Sequence, residues 1–259
     1  MTNAEQIHVW NEVNAERWIR LRAQLTGELA PFGEAAVAAL DPRRGETALD
    51  VGCGFGETTL SLARRTGDAL GIDICAPFLE VARREAASGA RYLLADAQTQ
   101  RFEEKFALCF SRFGLMFFED PPAAFANLRS AMRPGGRFAA VTWGPFQENE
   151  WARLPLQIVR KHIAAPDPAP GPGPFGLSDR DKVMRLLTGA GFSAANVSRL
   201  DLPFATSVSL LLQTGPAAAA LRRAGEAGER LRPRLEAELR DALAGKALRG
   251  VAWLASASC

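Results

Sequence analysis

Leu49-Asp50-Val51-Gly52-Cys53-Gly54-Phe55-Gly56 decides the fold of this chain. A short apolar strand runs into a carboxylate, three glycines follow at alternating positions, and a helical pattern extends from Glu57 to Arg65. Glycine tolerates positive φ and leaves no side chain between backbone and ligand. Strand, glycine turn and helix N-terminus together form a nucleotide-binding crevice. A dinucleotide site asks for G-x-G-x-x-G, with the helix N-terminus facing a pyrophosphate. Here the third glycine arrives one residue early, at Gly56, and Glu57 stands where that fingerprint wants glycine. Asp50, just ahead of the turn, adds negative charge that suits a cationic ligand better than a diphosphate.

Outward from this turn, strands and helices alternate. A first strand is predicted over Thr47 to Val51 and a helix near Glu57 to Arg65. A strand from Ala69 to Ile72 ends at Asp73, and a helix from Pro77 to Ala87 leads to a strand, Arg91 to Ala95, ending at Asp96. A strand over Phe106 to Ser111 precedes a helix from Pro121 to Met132; Pro134-Gly135-Gly136 then turns into a strand from Arg137 to Trp143. Such repetition implies a parallel sheet with helices on both faces. Ahead of it, Thr2 and Glu5 have capping-box spacing. A helix from about Ala4 to Leu29 is predicted to carry Ile7, Trp10, Val13, Asn14, Trp18 and Leu21 on or near one face, with Pro31 interrupting or ending it and a second helix over Gly33 to Leu40. Beyond the core, Glu150 to Ala164 has helical character, and the Pro/Gly-rich stretch from Ala165 to Pro174 reads as a mobile loop. A helix near Asp179 to Gly189, a strand near Asn196 to Leu202, helical stretches over Val208 to Ala224 and Glu229 to Ala244, and a strand from Gly250 to Ala257 complete the chain.

The bulk numbers exclude several classes. The 259 residues suffice for one large α/β domain. A net charge of +2 without blocks of like charge gives no nucleic-acid footprint. Cys53, Cys75, Cys109 and Cys259 form no C-x-x-C pair, and with His8 and His162 they offer no zinc pattern, so no metal is expected. No apolar run is long enough to span a bilayer, and no signal peptide is visible, so a reduced cytoplasmic protein is the default expectation. Oligomeric state is left open.

The order of elements resembles class I S-adenosylmethionine (SAM) methyltransferases, with Gly52, Gly54 and Gly56 as the first motif. The segment Ser111 to Phe118, the run Ala123 to Leu128, and Leu128 to Gly136 resemble the ubiquinone/menaquinone C-methyltransferase-like branch, as do Ala4-Glu5-Gln6, Trp10-Asn11 and Glu16-Arg17-Trp18. The resemblance covers most of residues 4 to 203 and is strongest from 46 to 143. It implies a three-layer Rossmann-like α/β fold with a seven-stranded sheet whose last strand is antiparallel. It also implies an N-terminal helical lid over residues 1–40, a cofactor core over 46–143, and helical inserts after the fifth and sixth strands, 144–178 and 207–245. SAM would be the cofactor, leaving as S-adenosylhomocysteine.

The cofactor residues expected on this basis are Trp18, Asp50, Gly52, Cys53, Gly54, Gly56, Thr58, Thr59, Asp73, Ile74, Asp96, Ala97, Ser111 and Arg112. Asp73 closes the second strand, where a carboxylate can accept both ribose hydroxyls; it also suits a helix N-cap. Asp96 resembles the residue that meets the adenine amino group, with Ala97 beside it, and Ile74 is placed to pack on the adenine. Ser111 and Arg112 border the methionine moiety. Thr58 and Thr59 either reach the SAM carboxylate or cap their helix. Asp120-Pro121-Pro122-Ala123 superficially resembles an amino-methyltransferase motif, but an N-cap followed by a proline explains it.

In-line methyl transfer needs a dry, aligned site more than a dedicated catalyst. His8, His162 and Glu148, with Glu150, are the weak candidates for a base. Trp10, Phe113, Met116, Trp143, Phe146 and Trp151, with Phe117, suggest a small apolar or aromatic acceptor, methylated on carbon or oxygen, as in natural-product biosynthesis. Two rivals stand beside this reading: an NAD(P)-dependent oxidoreductase, against which Asp50 and Glu57 argue, and a protein that binds SAM without transferring its methyl group, such as a cyclase or binding module.

Overall fold

The computed structural model describes residues 3–244 and 246–259. The capping box expected from Thr2 lies partly outside the described residues. Seven strands form one sheet: β1 Thr47–Val51, β2 Asp68–Asp73, β3 Ala90–Leu94, β4 Phe106–Arg112, β5 Met132–Trp143, β6 Ser193–Phe204 and β7 Leu248–Ser258. Their order is β3-β2-β1-β4-β5-β7-β6. The first five pair in parallel, and β7 runs antiparallel between β5 and β6. Ala48 to Val51 and Phe138 to Trp143 are buried at every position, as expected for strands covered on both faces. The order reverses between β1 and β4, and the crevice outside the carboxyl ends of strands at such a switch point is where open α/β sheets hold ligands.

The helices are α1 Ala4–His8, α2 Ala15–Leu40, α3 Glu57–Thr66, α4 Ala76–Arg84, α5 Pro121–Ser130, α6 Glu150–Val159, α7 Arg180–Gly189, α8 Val208–Leu211, α9 Gly215–Arg223 and α10 Glu226–Leu243. The helices α6 and α7 follow β5, and α8 to α10 follow β6. Asp120 caps α5 by accepting from the Ala123 N–H at 3.0 Å. Among the described residues, no helix is long and apolar enough to cross a membrane.

Three local expectations are corrected. Pro31 does not end a helix: α2 runs through it. Proline cannot bond the carbonyl four residues back and crowds it, but Pro31 and Gly27 are both exposed, and the space beside Gly27 is open, so the freed carbonyl is left to solvent. The N-terminal helix is not uniform either, because Val9–Asn14 is a π-helical turn. The wider turn rotates the residues before it relative to α2. Ile7 and Val13, expected inward, are therefore 40% and 51% exposed, while Gln6 and Ala15 are buried. The stretch from Val208 to Ala224 is two helices, since Gly215 takes a φ of 70° ahead of Pro216.

Candidate active site

The glycine turn lies where β1 and β4 diverge. Gly52 has a φ of 68°, and a Cβ there would stand 2.9 Å from the Gly114 Cα, so the turns after the two strands touch through backbone alone. Gly56 has a φ of 87°, and a Cβ there would collide with the Tyr92 hydroxyl. Beneath the turn, Asp50 is fully buried. Its Oδ2 accepts from Thr58 Oγ1 at 2.6 Å and Thr59 Oγ1 at 2.7 Å, while its Oδ1 has no partner. Burial pushes the Asp50 carboxyl up to about 6, opposed by the two hydroxyls and Arg112. Thr58 and Thr59 thus spend their hydroxyl hydrogens on Asp50, and neither makes a side-chain cap bond to α3. Cys53 has its Sγ within 2.9 Å of where a Gly71 Cβ would stand, so its side chain packs against β2.

Asp73 ends β2 beside the turn. Its Oδ2 accepts from the Gly54 N–H at 2.8 Å and its Oδ1 from the Cys75 N–H at 2.9 Å. Each oxygen keeps a free lone pair, the arrangement a vicinal diol requires. Burial raises its pKa, with the backbone donors opposing. The Asp96 Oδ1 accepts from Gln98 N at 2.9 Å and from Asn3 Nδ2 at 2.7 Å. Asn3 therefore takes up one oxygen of the carboxylate expected at the adenine, and its own Oδ1 accepts from Glu119 N at 2.8 Å. The Ile74 carbonyl accepts from Asn11 Nδ2 at 2.9 Å, and Asn11 Oδ1 accepts from Ala76 N at 2.9 Å. Ala97 is buried and its carbonyl accepts from Asn127. Asn3 was not singled out from the sequence, and Asn11 entered only as part of the Trp10-Asn11 resemblance, with no role assigned to its side chain.

Glu57, the residue that breaks the dinucleotide fingerprint, joins α2 to the turn. Its Oε1 accepts from Arg22 Nε at 2.8 Å and Thr26 Oγ1 at 3.0 Å, and its Oε2 lies 4.0 Å from Arg112. The Arg112 side chain packs 2.9 Å from where a Gly33 Cβ would stand, and burial lowers its pKa. The Ser111 hydroxyl donates to the Val51 carbonyl at 2.7 Å and is buried between β1 and β4. Trp18 packs edge-on against Trp10 at 5.1 Å. Trp10, expected at the acceptor, packs at the start of α4, edge-on to Phe78 at 6.0 Å and to Phe117 at 5.1 Å, with its carbonyl bonded by Cys75.

The other aromatic candidates converge. Phe113, at a φ of 60° just past β4, stacks on Trp143 at 4.1 Å. The Trp143 ring lies 4.9 Å from Trp151, and its backbone N–H donates to Met116 Sδ at 3.3 Å. Phe32 of α2 lies 5.1 Å from Trp143, and Phe204 lies 5.4 Å from Trp151. Phe146 joins through Phe175, which also stacks on Trp151 at 6.1 Å. Phe175 comes from the end of the Pro/Gly-rich stretch, which is pinned there by the Gly173 N–H on the Met116 carbonyl. The weak catalytic candidates stay outside this cluster. His8 is exposed; His162 Nε2 is engaged by Glu238 at 2.9 Å; Glu148 is paired with Arg199 and partly exposed; Glu150 accepts from the Arg249 N–H. Among the described residues, no group of three or more His, Cys, Asp or Glu could hold a metal ion.

A model of the methyltransferase domain family matches residues 49–140, from the middle of β1 into β5. An aklanonic acid methyltransferase from Streptomyces sp. (strain C5) is 32% identical over 148 residues, which are 51% of this chain and 67% of that protein. The nocamycin O-methyltransferase of Saccharothrix syringae is 31% identical over 139 residues, 49% of each chain. The match thus spans two thirds of the first relative and about half of the second. A SAM-dependent methyltransferase structure from Mesorhizobium loti superposes with a TM-score of 0.52 at 21% identity, covering 87% of this chain and 96% of that one, and shows the same fold. This chain belongs to the class I SAM-dependent methyltransferases, and SAM is its cofactor. Neither named relative is a quinone C-methyltransferase, so the finer branch has no particular support. The site fits the cofactor: the buried, unpartnered Asp50 Oδ1 offers an anion to a cationic ligand, and Asp73 offers two lone pairs to a ribose diol.

Proposed function

We propose that the chain transfers the methyl group of SAM to a small, largely apolar or aromatic acceptor, on oxygen or carbon. The observation that carries this reading is the aromatic cluster of Phe113, Trp143, Trp151, Phe32 and Phe204, which begins at the first residue beyond β4, beside the cofactor crevice. SAM supplies an electrophilic methyl group on a sulfonium. The protein's part is placement and exclusion of water. Asp50 and Asp73 orient the donor, Arg112 and Glu57 brace the turn, and the rings present an apolar wall to the acceptor. The N-terminal helices, latched by Asn3 and Asn11, serve as the lid over residues 1–40, and the segments 144–178 and 207–245 shape the acceptor side. The natural-product names of the two relatives favour the same acceptor class. Incubation with SAM and a panel of naphthols, hydroxyquinones, a basic peptide and an oligonucleotide, with S-adenosylhomocysteine as readout, tests it. Turnover with the aromatic hydroxyls is expected. Efficient methylation of peptide or oligonucleotide, with none of the aromatics, would overturn it.

A further inference from the structure

Helix α2 carries a buried stripe of Leu21, Leu25, Phe32, Ala36 and Leu40. Steps of three and four residues share one helix face, and they place Glu28 on the same stripe, between Leu25 and Phe32. A carboxylate at such a position costs free energy unless something compensates it. Glu28 has no ion-pair partner among the described residues; it is half-buried, and its contact is the hydroxyl of Thr206. Thr206 lies two residues beyond Phe204, and Phe204 lies 6.5 Å from Phe32. The pairs Phe32–Phe204 and Glu28–Thr206 are therefore successive rungs between α2 and the chain leaving β6. One rung belongs to the aromatic cluster. The other sets an unpaired carboxylate one helical turn away, about 5 Å along the helix axis.

We propose that Glu28 is the general base of the acceptor site, and that the acceptor presents a weakly acidic hydroxyl of the phenol or enol class. This rests on the small-acceptor reading above and deepens it. The acceptor proton passes to a Glu28 carboxylate oxygen, and the O–H electron pair stays on the acceptor oxygen. That pair forms the new bond to the methyl carbon as the donor's carbon–sulfur bond breaks and leaves its pair on sulfur.

The surroundings suit the role. Burial raises the Glu28 carboxyl to about 7, with the Thr206 hydroxyl opposing, and a base works best when its pKa lies near the working pH. The loop over 205–207 and α8 carry no charged side chain, and neither does α2 from Gln24 to Phe32 apart from Glu28 itself. At the neighbouring strand ends Asp201 and Arg249 pair with each other. Arg112, packed against Gly33, faces Glu57 instead. None of these cations neutralises Glu28.

The test uses the full chain, SAM and two probes: 1-naphthol, which must lose a proton, and 2-hydroxy-1,4-naphthoquinone, whose hydroxyl is already ionised at neutral pH. E28Q is expected to lower kcat on 1-naphthol by about 100-fold or more and to abolish the pH limb near neutrality, with KM changed by less than about threefold. E28D should restore part of the rate, and the ionised probe should be nearly indifferent to E28Q. A readout independent of turnover is the carboxyl ¹³C resonance of Glu28 in the S-adenosylhomocysteine complex, assigned by its loss in E28Q and expected to titrate near neutrality. Wild-type rates on both probes in E28Q, or titration of that resonance in the ordinary carboxylate range, would overturn the proposal and leave the small-acceptor reading standing. SAM binding by calorimetry, with neither probe methylated by the wild-type protein, would instead overturn the acceptor reading and Glu28 with it.

Discussion

At the scale of single residues, two carboxylates carry the cofactor argument, and each makes a separate demand. Asp50 is buried with one oxygen unpartnered, and its carboxyl is raised from 3.8 to about 6. Between those values the ligand-free fold holds a proton that the unfolded chain has released, so stability falls as pH rises through this window and the full penalty stands above it. A cationic ligand needs the ionised form. SAM affinity is therefore expected to hold above pH 7 and to weaken by about tenfold per pH unit below the raised carboxyl value. In D50N the affinity should be weaker by about tenfold or more and lose this acid limb, as calorimetry from pH 5 to 8 will show. Asp73 differs: its oxygens already accept from Gly54 and Cys75. D73N keeps one acceptor and leaves a buried partner unmatched, so SAM binding should weaken by about 10- to 100-fold, equivalent to about 1–3 kcal/mol. Both aspartates were legible because strand ends beside a glycine turn are few and carboxylates there are conspicuous. The bonds of Thr58 and Thr59 to Asp50, and of Ser111 to the Val51 carbonyl, were not legible, because a hydroxyl near a crevice looks the same in sequence whichever neighbour it meets.

At the scale of elements, the parallel strands announced themselves through apolar runs ending in Asp or Gly, and the N-terminal helices did not. Periodicity assumes a constant turn, and the π turn at Val9–Asn14 breaks it without any marker residue. Proline reads as a stop, yet Pro31 sits on the outward side of α2. P31A should stabilise the protein. It restores an exposed backbone bond to Gly27 and relieves the ring contact, offset by about 0.4–1 kcal/mol of extra freedom in the unfolded chain. A net gain of about 1 kcal/mol is expected, read as a raised midpoint in urea without a change of slope. The segment over residues 3–14 is held through Asn3 on Asp96 and Glu119 and Asn11 on Ile74 and Ala76. N3A/N11A should speed amide exchange in that segment by about tenfold or more while leaving the amides of β1 and β4 unchanged. Equal speeding everywhere would show that these contacts hold the whole domain rather than its N-terminal cover.

At the scale of the whole molecule, the sheet order and the switch point between β1 and β4 place three acidic strand ends and an aromatic cluster around one crevice, although their residues are spread from Phe32 to Phe204. That convergence is where the sequence reading thinned. Phe113, Trp143 and Trp151 were suspected from their places after strands, whereas Phe32, Phe175 and Phe204 join only through long-range packing that no local pattern encodes. Glu28 was missed for a related reason: its oddity is visible only once α2 is known to bury that stripe. The crevice also joins elements from both sides of the sheet reversal, so a ligand there should stabilise the fold as a unit. At about 100-fold over its dissociation constant, S-adenosylhomocysteine should add about 2.7 kcal/mol. For a domain of this size that corresponds to a rise in midpoint of about 5–10 °C in a thermal scan. NADH at the same concentration should add nothing, because Asp50 faces its diphosphate with like charge and Glu57 stands where a dinucleotide turn needs glycine. On the proposed assignment of Asp73 to the donor and Glu28 to the acceptor, the same rise should shrink in D73N to about 0.4–1.4 kcal/mol and persist in full in E28Q. A loss of the shift in E28Q would move Glu28 to the cofactor side of α2 and refute the division of labour between its two faces.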